Sequence, residues 1–200
     1  MKRVLFLIVI VAVLLSACKK KGGNTPAQNV LPKEYTTAIV QNYGSFYKDE
    51  GYEHQVFTLD LYSKGISFDS LGYLHGSGYN LYFSDIFLPE KSMLLDTVYT
   101  IDSIPKIATF LKGMDFEGNY TGAYLLSIVD GQLDGISLVT DGSFAIETAN
   151  DSILMSFNVV VGEKTKYAAT YKGNPYYIDN SKTNASARLP YILKTREVAR

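Results

Sequence analysis

Nucleophilic, acid–base or metal chemistry in this 200-residue sequence would have to start from two histidines, one cysteine and a scatter of carboxylates. His75 stands in Leu74-His75-Gly76-Ser77-Gly78. Glycines let a backbone approach a ligand closely, and an imidazole serves as base or metal ligand. The same stretch also reads as a turn between two strands with a solvated histidine. His54 has no serine in a nucleophile elbow to work with, so no Ser-His-Asp order can be assembled. Asp130-Gly131-Gln132-Leu133-Asp134-Gly135 lacks the alternating ligands and closing glutamate of a calcium loop, and a β-turn is the expectation. No carboxylate pair is singled out for glycoside hydrolysis. The expectation is a non-enzyme with no catalytic residue, no metal and no cofactor.

Aromatic residues carry the stronger signal: 16 Tyr, 10 Phe and no Trp. Tyr43, Phe46, Tyr47 and Tyr52 surround Lys48, Asp49 and Glu50, and Tyr176 and Tyr177 follow Pro175. A tyrosine presents a flat apolar face and a polar tip, which suits a contact surface. Tyr43, Tyr47, Tyr52, Tyr176 and Tyr177 are therefore candidate binding residues, for a protein or a glycan. Tyrosine is equally a good strand residue with its ring half buried. A formal net charge of −1 implies no nucleic-acid partner.

The N-terminus addresses the chain. Met1-Lys2-Arg3 precedes an apolar run, Val4–Leu15, too short for the roughly 20 residues of a membrane span and right for a secretory signal. Leu15-Ser16-Ala17-Cys18 resembles the lipobox of bacterial lipoproteins. The resemblance implies cleavage after residue 17, acylation of Cys18 (palmitate included) and attachment to a membrane. Cys18 is the sole cysteine, so the folded body has no disulfide. Lys19 is not the aspartate of an inner-membrane retention signal, which implies the outer membrane. Lys19-Lys20-Lys21 replace the acidic export cluster of Bacteroidota-type surface lipoproteins, favouring the periplasmic face over the cell surface. The chain is similar to small β-rich lipoproteins of that kind, a likeness that carries over no activity. Their O-glycosylation signal, Asp-Ser/Thr before an aliphatic residue, occurs at Ser70, Thr97, Ser103 and Ser152. About one match is expected from composition. Asp-Ser and Asp-Thr are also ordinary turn residues.

These features must be positioned by a β body. The expected organisation is a signal over 1–17, a lipidated tether over 18–33, one β domain over 34–194 and a tail over 195–200. Gly22–Pro32 has the glycine, proline and small polar residues of a flexible linker. Phe57, Leu59 and Leu61 alternate with Thr58 and Asp60, and Tyr79, Leu81 and Phe83 with Asn80, the period of half-buried strands. A bulge is expected near Asp85. Val98–Ile101 and Tyr124–Ile128 continue the series, and Leu189–Leu193 offers a final strand. From Ile136 to Tyr171 the pattern predicts a four-strand meander, with Asp141-Gly142 as its first hairpin turn. Ile104–Lys112 alone suggests a short helix. The fold class is all-β: an antiparallel β-sandwich, or alternatively an up-and-down β-barrel. A barrel interior would offer a small apolar ligand a home, while a solid core would direct binding to the surface. An unrecognised hydrolase site ranks third.

Overall fold

The computed structural model describes residues 30–89, 93–94, 96–149 and 152–182. Cys18, its flanking lysines and Leu189–Leu193 lie outside the described residues. The described residues from Pro32 to Lys182 form one compact unit. In chain order its strands are β1 (Glu34–Asn42), β2 (Gln55–Ser63), β3 (Ile66–Phe68), β4 (Leu74–Gly76), β5 (Gly78–Leu88), β6 (Val98–Asp102), β7 (Thr109–Leu111), β8 (Met114–Phe116), β9 (Asn119–Thr121), β10 (Ala123–Val129), β11 (Gln132–Ala149), β12 (Ser152–Val161), β13 (Thr165–Gly173) and β14 (Tyr176–Asp179). The one helical element among the described residues is a 3-10 turn, Lys48–Glu50.

The all-β class expected from the alternation is what the structure has. Hydrogen bonding runs β10–β11–β12–β13–β1–β2–β5, and β5 pairs in turn with β10, so the circuit closes. Beside β10, the parallel pair β6–β7 makes a second bridge from β11 to β5. β1 runs parallel to both β13 and β14, and the remaining pairs of the circuit are antiparallel. The fold is sandwich-like or barrel-like, but its sheet is mixed rather than purely antiparallel, because β1 pairs in parallel with β13 and β14, and β6 with β7. The circuit closes as a barrel does and leaves β14 as an edge paired, among the described residues, with β1 alone, while Phe83 of β5 stacks on Phe157 of β12 across the interior, centroids 5.6 Å apart.

The interior is an aromatic layer. Phe83 contacts Phe110 at 5.0 Å and Phe144 at 4.9 Å, and Phe144 stacks on Tyr99 at 4.6 Å. Such pairs add about 0.5–1.5 kcal/mol each beyond the area they bury. At the entrance to β1, the Tyr167 hydroxyl donates to the Pro32 carbonyl at 2.6 Å and lies 2.7 Å from the Tyr35 hydroxyl. Burial pushes the Tyr167 phenol up to about 12 and that of Tyr35 higher still, so both remain protonated hydrogen-bonding groups at neutral pH.

The local expectations divide. β2, β5, β6 and β10 lie where alternation placed them, and the bulge at Asp85 exists: Ser84 and Asp85 together oppose Thr58, with Asp85 at φ 53°. Ile104–Lys112 is not helical. Its core is β7, whose fully buried Phe110 pairs with Ile86. Asp141-Gly142 is not a turn either; β11 runs straight through it for 18 residues. Thr140 is the extra residue of a bulge against β12, and Gly142 follows at φ 120°. A Cβ there would strike the Asn158 carbonyl oxygen. The kink falls where β11 exchanges one neighbour for another, β10 up to Leu138 and β6 from Ser143. A hairpin turn falls instead at the Asp-Gly pair 130–131. Asp130 and Gly131, φ 50° and 72°, form the two-residue loop between Val129 and Gln132, with the left-handed dihedrals of a type I′ turn.

Glycines in the two settings should differ measurably. Gly162 has φ 64° and open space around its Cβ position, so Gly162→Ala should cost about 1 kcal/mol. Gly142→Ala adds overpacking to backbone strain and should cost about 3 kcal/mol or more. Urea unfolding with unchanged m-values checks both, and equal costs would contradict the bulge assignment.

Candidate binding groove

Strand pairing places Gln41 opposite Thr58, Ile39 opposite Asp60 and Thr37 opposite Tyr62, all on the outer face of the circuit. The same face continues through Tyr82 and Asn80 on β5 to Tyr124 and Leu126 on β10. Alternation alone would leave this face in water. It is buried instead: Thr58, Asp60, Tyr62, Asn80, Tyr82 and Tyr124 are all 0 % exposed. The β3–β4 hairpin contributes Ile66, Phe68 and Leu74 to the cluster that covers it, together with Ile39, Tyr62, Tyr82 and Tyr124.

Beside the hairpin lies an open groove of about 600 Å³. Its floor is Thr37 and Ile39 of β1, one wall is β3 with Phe68, and the other is Tyr176, Tyr177 and Ile178 of β14. The volume falls within the range of ligand sites, and no charged side chain lines it. Every residue of β14 is exposed, and among the described residues that strand pairs with β1 alone.

Asp69 shapes the hairpin tip. Its Oδ1 accepts the Leu71 and Tyr73 amides, both at 2.9 Å, and its Oδ2 lies 3.1 Å from His75 Nε2. The His75 hydrogen bond, then the amides, hold the Asp69 carboxyl below its usual range. Ser67 stands across the strand pair from His75. Ser67, His75 and Asp69 thus share a neighbourhood, yet no hydrogen bond joins Ser67 to His75 among the described residues, and all three are exposed. A catalytic triad needs a sheltered carboxylate and an oxyanion site. His54 lies elsewhere, half-buried between Tyr52 and Phe87 with Nδ1 buried and unbonded. Among the described residues no three His, Cys, Asp or Glu side chains converge as a metal set. The tight turn at Asp130-Gly131 leaves the calcium-loop pattern no loop to form.

The candidate tyrosines separate. Tyr176 and Tyr177 line the groove, 69 % and 43 % exposed. Tyr43 is a core residue packed with Val56 and Phe87, and Tyr47 is half-buried with its hydroxyl on Asp85 at 2.9 Å. Tyr52 is half-buried against His54. Of the glycosylation candidates, Ser70 and Ser103 are exposed in turns opened by Asp69 and Asp102. Thr97 is half-buried with its carbonyl accepting from Ile146, and Ser152 is half-buried where β12 begins. The groove itself, and the burial of Asp60 beneath it, escaped sequence reasoning. The available hint was Tyr62 and Tyr82, two large rings on a face otherwise assigned to solvent.

Asp69 gives a pH signature. Its pKa is depressed on folding, so its support for the loop is complete above the ordinary value of 3.8 and is lost as pH falls through the lowered one. Amide exchange at Leu71 and Tyr73 should accelerate in that window relative to the β12 amides, and pH-independent protection would contradict the capping role.

Comparison with protein-family models, with curated proteins and with solved structures found no match, so the site stands on its geometry alone.

Proposed function

We propose that this chain is a lipid-anchored, non-catalytic binding module of the bacterial envelope, held at the periplasmic face of the outer membrane through Cys18. Its groove would take an extended apolar stretch of a partner polypeptide. The observation that carries this reading is an uncharged groove whose wall is a strand exposed along its whole length. Strand addition to such an edge supplies main-chain hydrogen bonds, and a neighbouring apolar trough receives alternate side chains. Phe83, Phe110, Phe144 and Phe157 occupy the interior of the circuit, which favours this outer groove over a barrel cavity for a small apolar ligand. Exposure of His75 and Asp69 disfavours the hydrolase reading.

A photo-crosslinking phenylalanine analogue at Tyr176, introduced in the native host, tests the reading. Adducts to polypeptide should form, and Ile39→Asp in the groove floor should abolish them. Adducts to glycan alone, or none, would overturn it.

The anchor is separately testable. Cys18→Ala should remove palmitate labelling and leave an unprocessed precursor, and a labelled mutant would end the lipoprotein reading. For O-glycosylation, Ser70 and Ser103 are now the favoured acceptors on exposure. Intact mass of the native protein should exceed that of the lipidated chain, and equality would refute the modification.

A further inference from the structure

The two walls of the groove belong to different parts of the chain, yet both lead back to one buried side chain. We propose that Asp60 is the positioning residue of the groove, each of its carboxylate oxygens holding one wall. The functional meaning rests on the groove reading above; the geometric claim does not.

On one side, β14 ends at Asp179, and the next residue turns inward. Asn180 Nδ2 donates to Gln41 Oε1 at 3.2 Å, and Gln41 Nε2 donates to Asp60 Oδ2 at 3.5 Å. The Tyr43 hydroxyl donates to the same Gln41 Oε1 at 3.1 Å, which fixes how the amide faces. On the other side, the Tyr62 hydroxyl donates to Asp60 Oδ1 at 3.2 Å. The Tyr62 ring supports Phe68 in an edge contact at 4.9 Å, and Phe68 is the β3 wall. Asn80 Nδ2 braces Asp60 Oδ1 at 3.3 Å while also reaching the Leu61 carbonyl. Ile39, in the floor, is the cross-strand partner of Asp60.

A carboxylate suits this post because every neighbour named here donates to it. Neutral Asn offers one acceptor oxygen and one donor amine. With Asp60→Asn, either Tyr62 and Asn80 or Gln41 would meet a donor. If Gln41 rotates its amide to compensate, its Nε2 turns on Tyr43 and Asn180, both of which donate to it now. Either orientation obliges the Tyr62 hydroxyl, or the Tyr43 hydroxyl and the Asn180 amide, to reverse its donor role, which loosens one wall. The Gln41 contact is the longest in the relay, so the Asp179–Asn180 end of β14 should loosen first, while its backbone pairing with β1 remains.

Paired nitroxides at Ser67→Cys and Asp179→Cys, in the full chain with Cys18→Ser, report the wall-to-wall distance by pulsed electron resonance. The parent should give one narrow distribution. Asp60→Asn should shift it to longer distance and broaden it. Gln41→Leu, which removes the bonds to Asp60, Asn180 and Tyr43 but leaves Tyr62 and Asn80 on Asp60, should do the same and stands in if the first variant does not fold. Ile146→Val, a core change on β11 away from the relay, should leave the distribution unmoved. Superimposable parent and variant distributions, or equal broadening by Ile146→Val, would overturn the proposal. Broadened walls with unchanged crosslinking at Tyr176 would instead refute the groove as the binding site and leave the positioning role standing.

Discussion

Phe83 meets Phe110, Phe144 and Phe157 in the middle of a chain that has one cysteine and expects to spend it on a lipid. With no disulfide available to the body, this ring-on-ring layer is what holds the strand circuit closed. Each ring comes from a different element: β5, β7, β11 and β12. The layer therefore explains why a short, proline-led segment becomes strand β7. Phe110 is needed inside, and pairing with β5 is the way to satisfy its backbone there.

A filled interior has a consequence for function. The aromatic packing directs attention to the outside, where β1, β2, β5 and β10 carry a second, buried face. That face buries Asp60, Asn80 and Thr58, and among the described residues Asn80 Oδ1, Thr58 Oγ1 and the Tyr124 hydroxyl have no hydrogen-bond partner. Burying polar groups incompletely costs stability. The hydrogen bonds of Asp60 to Gln41, Tyr62 and Asn80 offset part of that cost.

Much of the fold was legible because period-two alternation identifies strands whichever face is covered. β2, β5, β10 and β12 were read correctly from it, and so was the bulge at Asp85. Alternation failed where a polar residue faces a second layer. Thr58 and Asp60 look solvent-bound in sequence, yet both are fully buried, because tertiary packing covers a face that alternation assigns to water. The Asp-Gly pairs at 130–131 and 141–142 show a related limit. Both are compatible with a left-handed turn, but Gly142 is required by close approach of the Asn158 carbonyl, a contact that local sequence does not encode. Of the candidate surface, Tyr176 and Tyr177 were legible through Pro175 and their clustering. Tyr43 was not, because exposure on a loop and burial beneath one look alike in composition.

The claim on which the rest depends is that this sheet is covered on both faces and leaves β14 open. Tyrosine nitration of the native protein, read by peptide mass spectrometry, tests it in one experiment. Tyr176 and Tyr73, 69 % and 55 % exposed, should be modified early, while Tyr62, Tyr82 and Tyr124, each 0 % exposed, should remain intact until the protein unfolds. Nitration of Tyr62, Tyr82 or Tyr124 at the rate of Tyr176 would contradict the buried outer face, and the groove would fall with it.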